Sequence, residues 1–137
     1  MENKNTHFKV FYAGVIFDPA KKKILIGRKN NDSYLPGVTW CFPGGKLLHG
    51  EDIDKVLKKS IKNKTGYGIK NLGTIFSKVY PEQKDLMTVF FLCEVFEGEE
   101  KAGEDITELK WADPEELETL FTTSFHPRLK EYIMNLK

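Results

Sequence analysis

The stretch GGKLLHGEDIDKVLKKSIKNKTGY, residues 44–67, holds a glycine pair, an acidic helix start, an amphipathic helix and a glycine stop in one unbroken run. Gly44 and Gly45 follow Pro43, a combination that lets the backbone turn tightly and approach a ligand with no side chain in the way. Glu51, Asp52 and Asp54 place carboxylates where the positive end of a helix dipole favours them, which predicts a helix starting near Glu51. Ile53, Val56 and Leu57 recur at i, i+3, i+4, and the run closes on Lys64-Thr65-Gly66, a cation in the last turn followed by glycine. At about 100° per residue, Ser60, Asn63 and Lys64 fall on or beside the apolar arc, so polar groups continue an inward stripe toward the helix C-terminus. Lys55, Lys58, Lys59 and Lys62 project the other way and read as a solvated face.

On the N-terminal side, residues 1–6, MENKNT, read as a loose polar tail. His7 to Phe17 are rich in β-branched and aromatic residues and predict a long, mostly buried strand. Asp18-Pro19-Ala20 with three lysines makes a turn, and Ile24 to Arg28 returns as the second strand of a hairpin. Lys29 to Gly37 is a polar loop carrying Tyr34, and Val38 to Phe42 is a short strand running into the glycine pair, with Trp40 and Phe42 read as core.

On the C-terminal side, Ile69 to Tyr80 is a strand region interrupted near Gly73. A turn then leads into Leu86 to Phe96, apolar at nearly every position as a central strand buried on both faces should be. Glu97 to Glu104 is an acidic, flexible loop, and Ile106 to Ala112 is a further strand. Asp113-Pro114 opens a helix with an Asp cap and proline at its first position. A last helix begins near Pro127, with Leu129, Tyr132, Ile133 and Leu136 as its packing stripe. Helices flanking a mixed sheet give an α/β fold, an α/β/α sandwich.

The bulk properties bound the function. A chain of 137 residues, 40% apolar and 30% charged, fits one globular domain over 1–137. A net charge of +1 gives no electrostatic footprint for a nucleic-acid polymer or an anionic membrane. There is no signal-peptide pattern and no apolar run of membrane-spanning length, so the expected compartment is cytoplasmic. Cys41 and Cys93 lie in apolar strand contexts without CxxC spacing and read as buried free thiols, with no metal site predicted from them. A homodimer is left open.

The central stretch resembles the box of the Nudix hydrolase family (MutT-like), G-x5-E-x7-R-E-U-x-E-E-x-G-U with U a bulky apolar residue. Gly45 meets the first glycine, Glu51 the first glutamate, Lys59 the arginine, Ile61 the apolar position, Gly66 the second glycine and Tyr67 the last position. The WCFPGG run and the ELKWADPEEL segment strengthen the likeness. The three glutamates that chiefly hold the divalent cation in that family fall on Ser60, Asn63 and Lys64, so the box is degenerate. The resemblance implies the family's α/β/α sandwich, with Glu51 and Lys59 pairing to brace the loop against the helix and Gly66 completing the box.

The family cleaves diphosphates linked to a nucleoside or similar group, using water and magnesium or manganese. Hard cations need oxygen ligands, usually anionic ones, and Lys64 would set a positive charge where the ion should sit. Its repulsion for a dication is on the order of several kcal/mol at intermediate dielectric. No metal-dependent cofactor is therefore expected, and magnesium or manganese enters only if the chain is active. The resemblance then implies a small phosphorylated ligand, such as a nucleoside diphosphate-linked metabolite, bound by Arg28, Tyr34, Gly44, Gly45 and Lys64, with hydrolysis weak or lost. In that reading the Lys64 ammonium stands in for the metal, against a plain alternative in which it satisfies the helix dipole and reaches water. Two further readings stay open. One is an active pyrophosphohydrolase using Glu51, Glu104, Asp105 or Glu108 as substitute ligands. The other is a non-enzymatic partner-binding module.

Overall fold

The structure, a computed structural model, describes residues 8–29, 39–80, 83–121 and 125–136. Strand β1, Lys9–Asp18, supplies two apolar sets by simple alternation. Ala13, Val15 and Phe17 face one core cluster, while Tyr12 and Ile16 face another. Strand β2, Lys23–Lys29, repeats the division with Ile24 and Ile26 against Leu25. A sheet with both faces apolar must be covered on both. Helix α1, Ile53–Thr65, closes one face with Leu57 and Ile61, and helix α3, Pro127–Met134, closes the other with Leu129 and Ile133.

The strand order is β3-β2-β1-β6-β5, where β3 is Trp40–Cys41, β5 is Tyr67–Tyr80 and β6 is Gln83–Gly98. Strand β4, Gly44–Lys46, pairs with the first half of β1, and β7, Ile106–Ala112, pairs with β2. The β1–β6 pairing is parallel and the others antiparallel, so the sheet is mixed and lies between helices. Strand β6 holds the central place expected of its apolar run, between β1 and β5. The interruption near Gly73 is a bulge, with Gly73 at φ 127° and its N–H donating to Asn71 Oδ1 at 2.9 Å.

Several expectations are corrected. The glycine pair is a strand rather than a turn. A Cβ on Gly44 would overlap the Tyr12 carbonyl oxygen, and one on Gly45 would stand 2.8 Å from the Tyr12 hydroxyl, so both glycines serve close packing of β4 on β1. The helix begins two residues later than predicted because Asp52 is its cap, accepting from Asp54 N at 2.9 Å and Lys55 N at 3.4 Å. Asp113 opens a helical segment as expected, with proline at its first position, and the segment is short. The Asp113 carboxylate is drawn to Lys23 Nζ at 2.7 Å, and Pro114–Glu116 forms a 3-10 turn leading into a single-turn helix α2, Leu117–Leu120. Tyr132 is exposed on α3, so the packing stripe narrows to Leu129 and Ile133 with Leu136 partly buried.

Phe42 is core and Trp40 packs half-buried against it. Neither cysteine is in a disulfide; Cys93 is fully buried, which pushes its thiol pKa up to about 12, and Cys41 is half-buried. Among the described residues no helix is long and apolar enough to cross a membrane.

Candidate functional site

The C-terminal turn of α1 is where polar groups converge. Its last carbonyls lack intrahelical partners and must find donors elsewhere. The segment after β6 supplies them: Lys101 N donates to Thr65 O at 2.8 Å and Gly103 N to Lys64 O at 3.1 Å. The acidic loop expected to be flexible is thus docked along the helix end. Glu100 Oε1 ties it further, accepting from Trp111 Nε1 at 3.0 Å and Tyr67 Oη at 3.3 Å. Gly66 makes the docking possible, since its φ of 83° favours glycine and a Cβ there would overlap the Glu99 carbonyl.

Docking brings Asp105 to Lys64. The Lys64 side chain is only 11% exposed, and its Nζ donates to Gly44 O at 2.5 Å and lies 3.3 Å from Asp105 Oδ1. The plain alternative of a lysine reaching for water does not describe this arrangement. A buried ammonium must be paired, and here strand β4 and the docked loop pair it. Asp105 Oδ2 in turn lies 3.2 Å from Lys29 Nζ at the end of β2. Burial pushes the Asp105 carboxyl up, but the charges of Lys64 and Lys29 and their hydrogen bonds outweigh it and hold the group below the usual carboxylate range.

Beside this cluster, Ser60 Oγ and Tyr12 Oη are hydrogen-bonded at 2.8 Å. Burial raises the Tyr12 hydroxyl's pKa, the bond to Ser60 lowers it, and the charges of Glu51 and Glu104 add to the rise. Glu51 Oε1 accepts from Leu48 N at 2.8 Å, bracing the loop before the helix through the backbone. Among the described residues no ion pair joins Glu51 to Lys59, which is exposed, as is Asn63.

Arg28 and Glu108 form a different pair, 3.5 Å apart and exposed. Arg28 continues the Ile24 and Ile26 side of β2, and Glu108 lies opposite Leu109 and Trp111, which pack on the α1 side. The sheet thus lies between this pair and Lys64. Tyr34 falls outside the described residues. The sequence pointed to Asp105 but missed Lys29 and Tyr12. Lys29 carries no local mark, because its partner is set by the β2–β7 register. Tyr12 could have been found as the one hydroxyl on the α1 face of an otherwise apolar strand.

For a divalent cation the donor set does not fit. Among the described residues no group of three or more His, Cys, Asp or Glu converges on one point. Where the Gly44 carbonyl and the Asp105 carboxylate do converge, the cation between them is the chain's own ammonium. Two cavities of about 310 and 740 Å³ lie elsewhere, one beside Tyr67 and Trp111 and one between β5 and α3.

Comparison with known proteins gives a consistent kinship. Residues 9–136 match the NUDIX domain family. An ADP-ribose pyrophosphatase of Methanocaldococcus jannaschii is 31% identical over 103 residues, covering 72% of this chain and 58% of that relative. The match thus spans little more than half the relative's length. Among solved structures, MutT of Aliivibrio salmonicida and Vibrio cholerae superposes with a TM-score of 0.70 at 21% identity, over 93% of this chain and 98% of the other. An ADP-ribose pyrophosphatase of Streptococcus suis superposes with a TM-score of 0.65 at 20% identity, over 80% and 77%. At such identities these structures speak for the fold alone.

Proposed function

We propose that this chain, which belongs to the NUDIX domain family, binds a small metabolite of the nucleoside diphosphate class beside Gly44 and the last turn of α1, with hydrolysis weak or lost. The observation that carries this is the Lys64 ammonium, buried and held between the Gly44 carbonyl and the Asp105 carboxylate. An ammonium has three donors, and those two partners leave one for a phosphate oxygen. The degenerate box, with Ser60, Asn63 and Lys64 at the places where the family carries glutamates, fits the same reading. Ser60 is engaged by Tyr12, Asn63 is exposed, and Lys64 supplies the positive charge itself. ADP-ribose is the first ligand to try, since a relative named for its pyrophosphatase activity on that compound shares 31% identity.

Titration calorimetry with ADP-ribose and ADP tests the proposal, run with chelator and with magnesium beside an assay of phosphate-group release. The expected result is binding that chelator leaves unchanged, little or no turnover, and an affinity for ADP at least about tenfold lower in Lys64→Glu. Unchanged or improved metal-free affinity in that variant rejects the role of Lys64. Magnesium-dependent turnover by the wild-type chain rejects the loss of hydrolysis. It would then favour Glu51 and Glu104, the two carboxylates whose charges reach the Tyr12 hydroxyl, as substitute ligands.

A further inference from the structure

The Asp105 carboxylate stands between two ammonium groups that come from different elements, one from the last turn of α1 and one from the end of β2. One carboxylate oxygen faces Lys64 Nζ at 3.3 Å and the other faces Lys29 Nζ at 3.2 Å. The two cations are the held members of this trio, with side chains 11% and 19% exposed, whereas the Asp105 side chain is 44% exposed. The backbone around the carboxylate tells the same story. The loop is pinned at Lys101 and Gly103, and Ile106 begins β7, so Asp105 sits on a short bridge after Glu104, whose φ is 52°.

Two ammonium groups that each meet a separate oxygen of one small anion also suit a phosphoryl group, which offers paired oxygens and up to about twice a carboxylate's charge. We propose that Lys29 and Lys64 form a phosphoryl subsite, in which Asp105 is an internal anion that a phosphorylated ligand displaces. This rests on the proposed function and adds to it a second cation, Lys29, and a built-in competitor. The competitor stabilises two largely buried cations while the site is empty, and it sets a threshold that singly charged anions fail to pass. Arg28 takes no part, since the sheet lies between it and this trio.

The test is titration of the full chain with inorganic pyrophosphate in chelator, for the wild type, Asp105→Asn, Lys29→Met and the double variant. ADP-ribose is run in parallel, and Lys55→Met on the exposed face of α1 serves as control. Asp105→Asn is expected to bind pyrophosphate about tenfold tighter and Lys29→Met about tenfold weaker. The double variant loses the gain, and the control matches the wild type. Folded Asp105→Asn with equal or weaker affinity overturns the proposal, as does pyrophosphate binding to none of the variants. If Asp105→Asn does not fold, Lys29→Met alone decides, and unchanged affinity there overturns the subsite. Tighter pyrophosphate binding by Asp105→Asn with no ADP-ribose binding keeps the subsite and rejects the nucleotide reading. ADP-ribose binding without the Asp105 effect does the reverse.

Discussion

The two ends of α1 are stabilised in opposite ways. At the N-terminal end the capping partners are close in sequence: Asp52 accepts from the amides of residues 54 and 55, and Glu51 accepts from Leu48 N, with Asn71 Nδ2 reaching Asp54 Oδ1 from β5 as an added contact. At the C-terminal end the partners come from 20 to 41 residues away. Lys64 meets Gly44 and Asp105, and the orphan carbonyls of Lys64 and Thr65 accept from the loop before β7. The first end is a local motif that a helix of this sequence would carry anywhere. The second exists only when β4, the helix and the loop are all in place, and that is where the candidate site lies. The proposed site thus falls at the end whose backbone groups need outside partners.

The largest expected effect falls on the distant-contact end. Gly66→Ala forces a side chain into a left-handed backbone and against the Glu99 carbonyl, and should cost about 3 kcal/mol in urea unfolding. A loss as small as that of an ordinary surface change would mean the loop is not docked.

Asp105→Asn should cost about 2 kcal/mol at neutral pH. Breaking a fully buried pair costs more, and the half-exposed carboxylate reduces the figure. Its pH dependence sharpens the point. The folded carboxyl is held below its ordinary value, so its contribution is fully present above the range of an unfolded aspartate and is lost as pH falls through the folded value. The gap in melting temperature between wild type and Asp105→Asn should therefore narrow as pH drops below about 3.8. A gap that stays constant from pH 6 to 3 would remove the ion pairs as its source.

Asp52→Ala, at the local end, should cost about 1 kcal/mol through the lost cap and leave ligand affinity unchanged. Smallest of all, Lys59→Ala should stay within about 0.5 kcal/mol of the wild type, because that side chain is exposed and no ion pair joins it to Glu51. A larger loss would restore the brace that the family box implies.

The same contrast explains what was legible beforehand. The stop at Gly66, the central apolar strand and the packing residues Leu57, Leu129 and Ile133 were readable because periodicity and capping act over a few residues. The glycine pair was misread, because a turn and a close strand contact both ask for glycine. Only the β1–β4 register says which applies. Asp113 with Pro114 was readable as a helix start, whereas the meeting of its carboxylate with Lys23 was not, because folding brings that lysine alongside from β2.

By itself the sequence determined a mixed sheet between helices, one amphipathic helix with a local cap and a glycine stop, and a lysine on that helix's inward side. Those features follow from side-chain spacing and from hydrogen bonds a chain makes with itself at short range. Only the tertiary structure decided that Lys64 would be buried, that Asp105 and Lys29 would meet it, and that Arg28 and Glu108 would lie across the sheet. Strand register and loop docking set those distances, and both are properties of segments that meet in space and not along the chain.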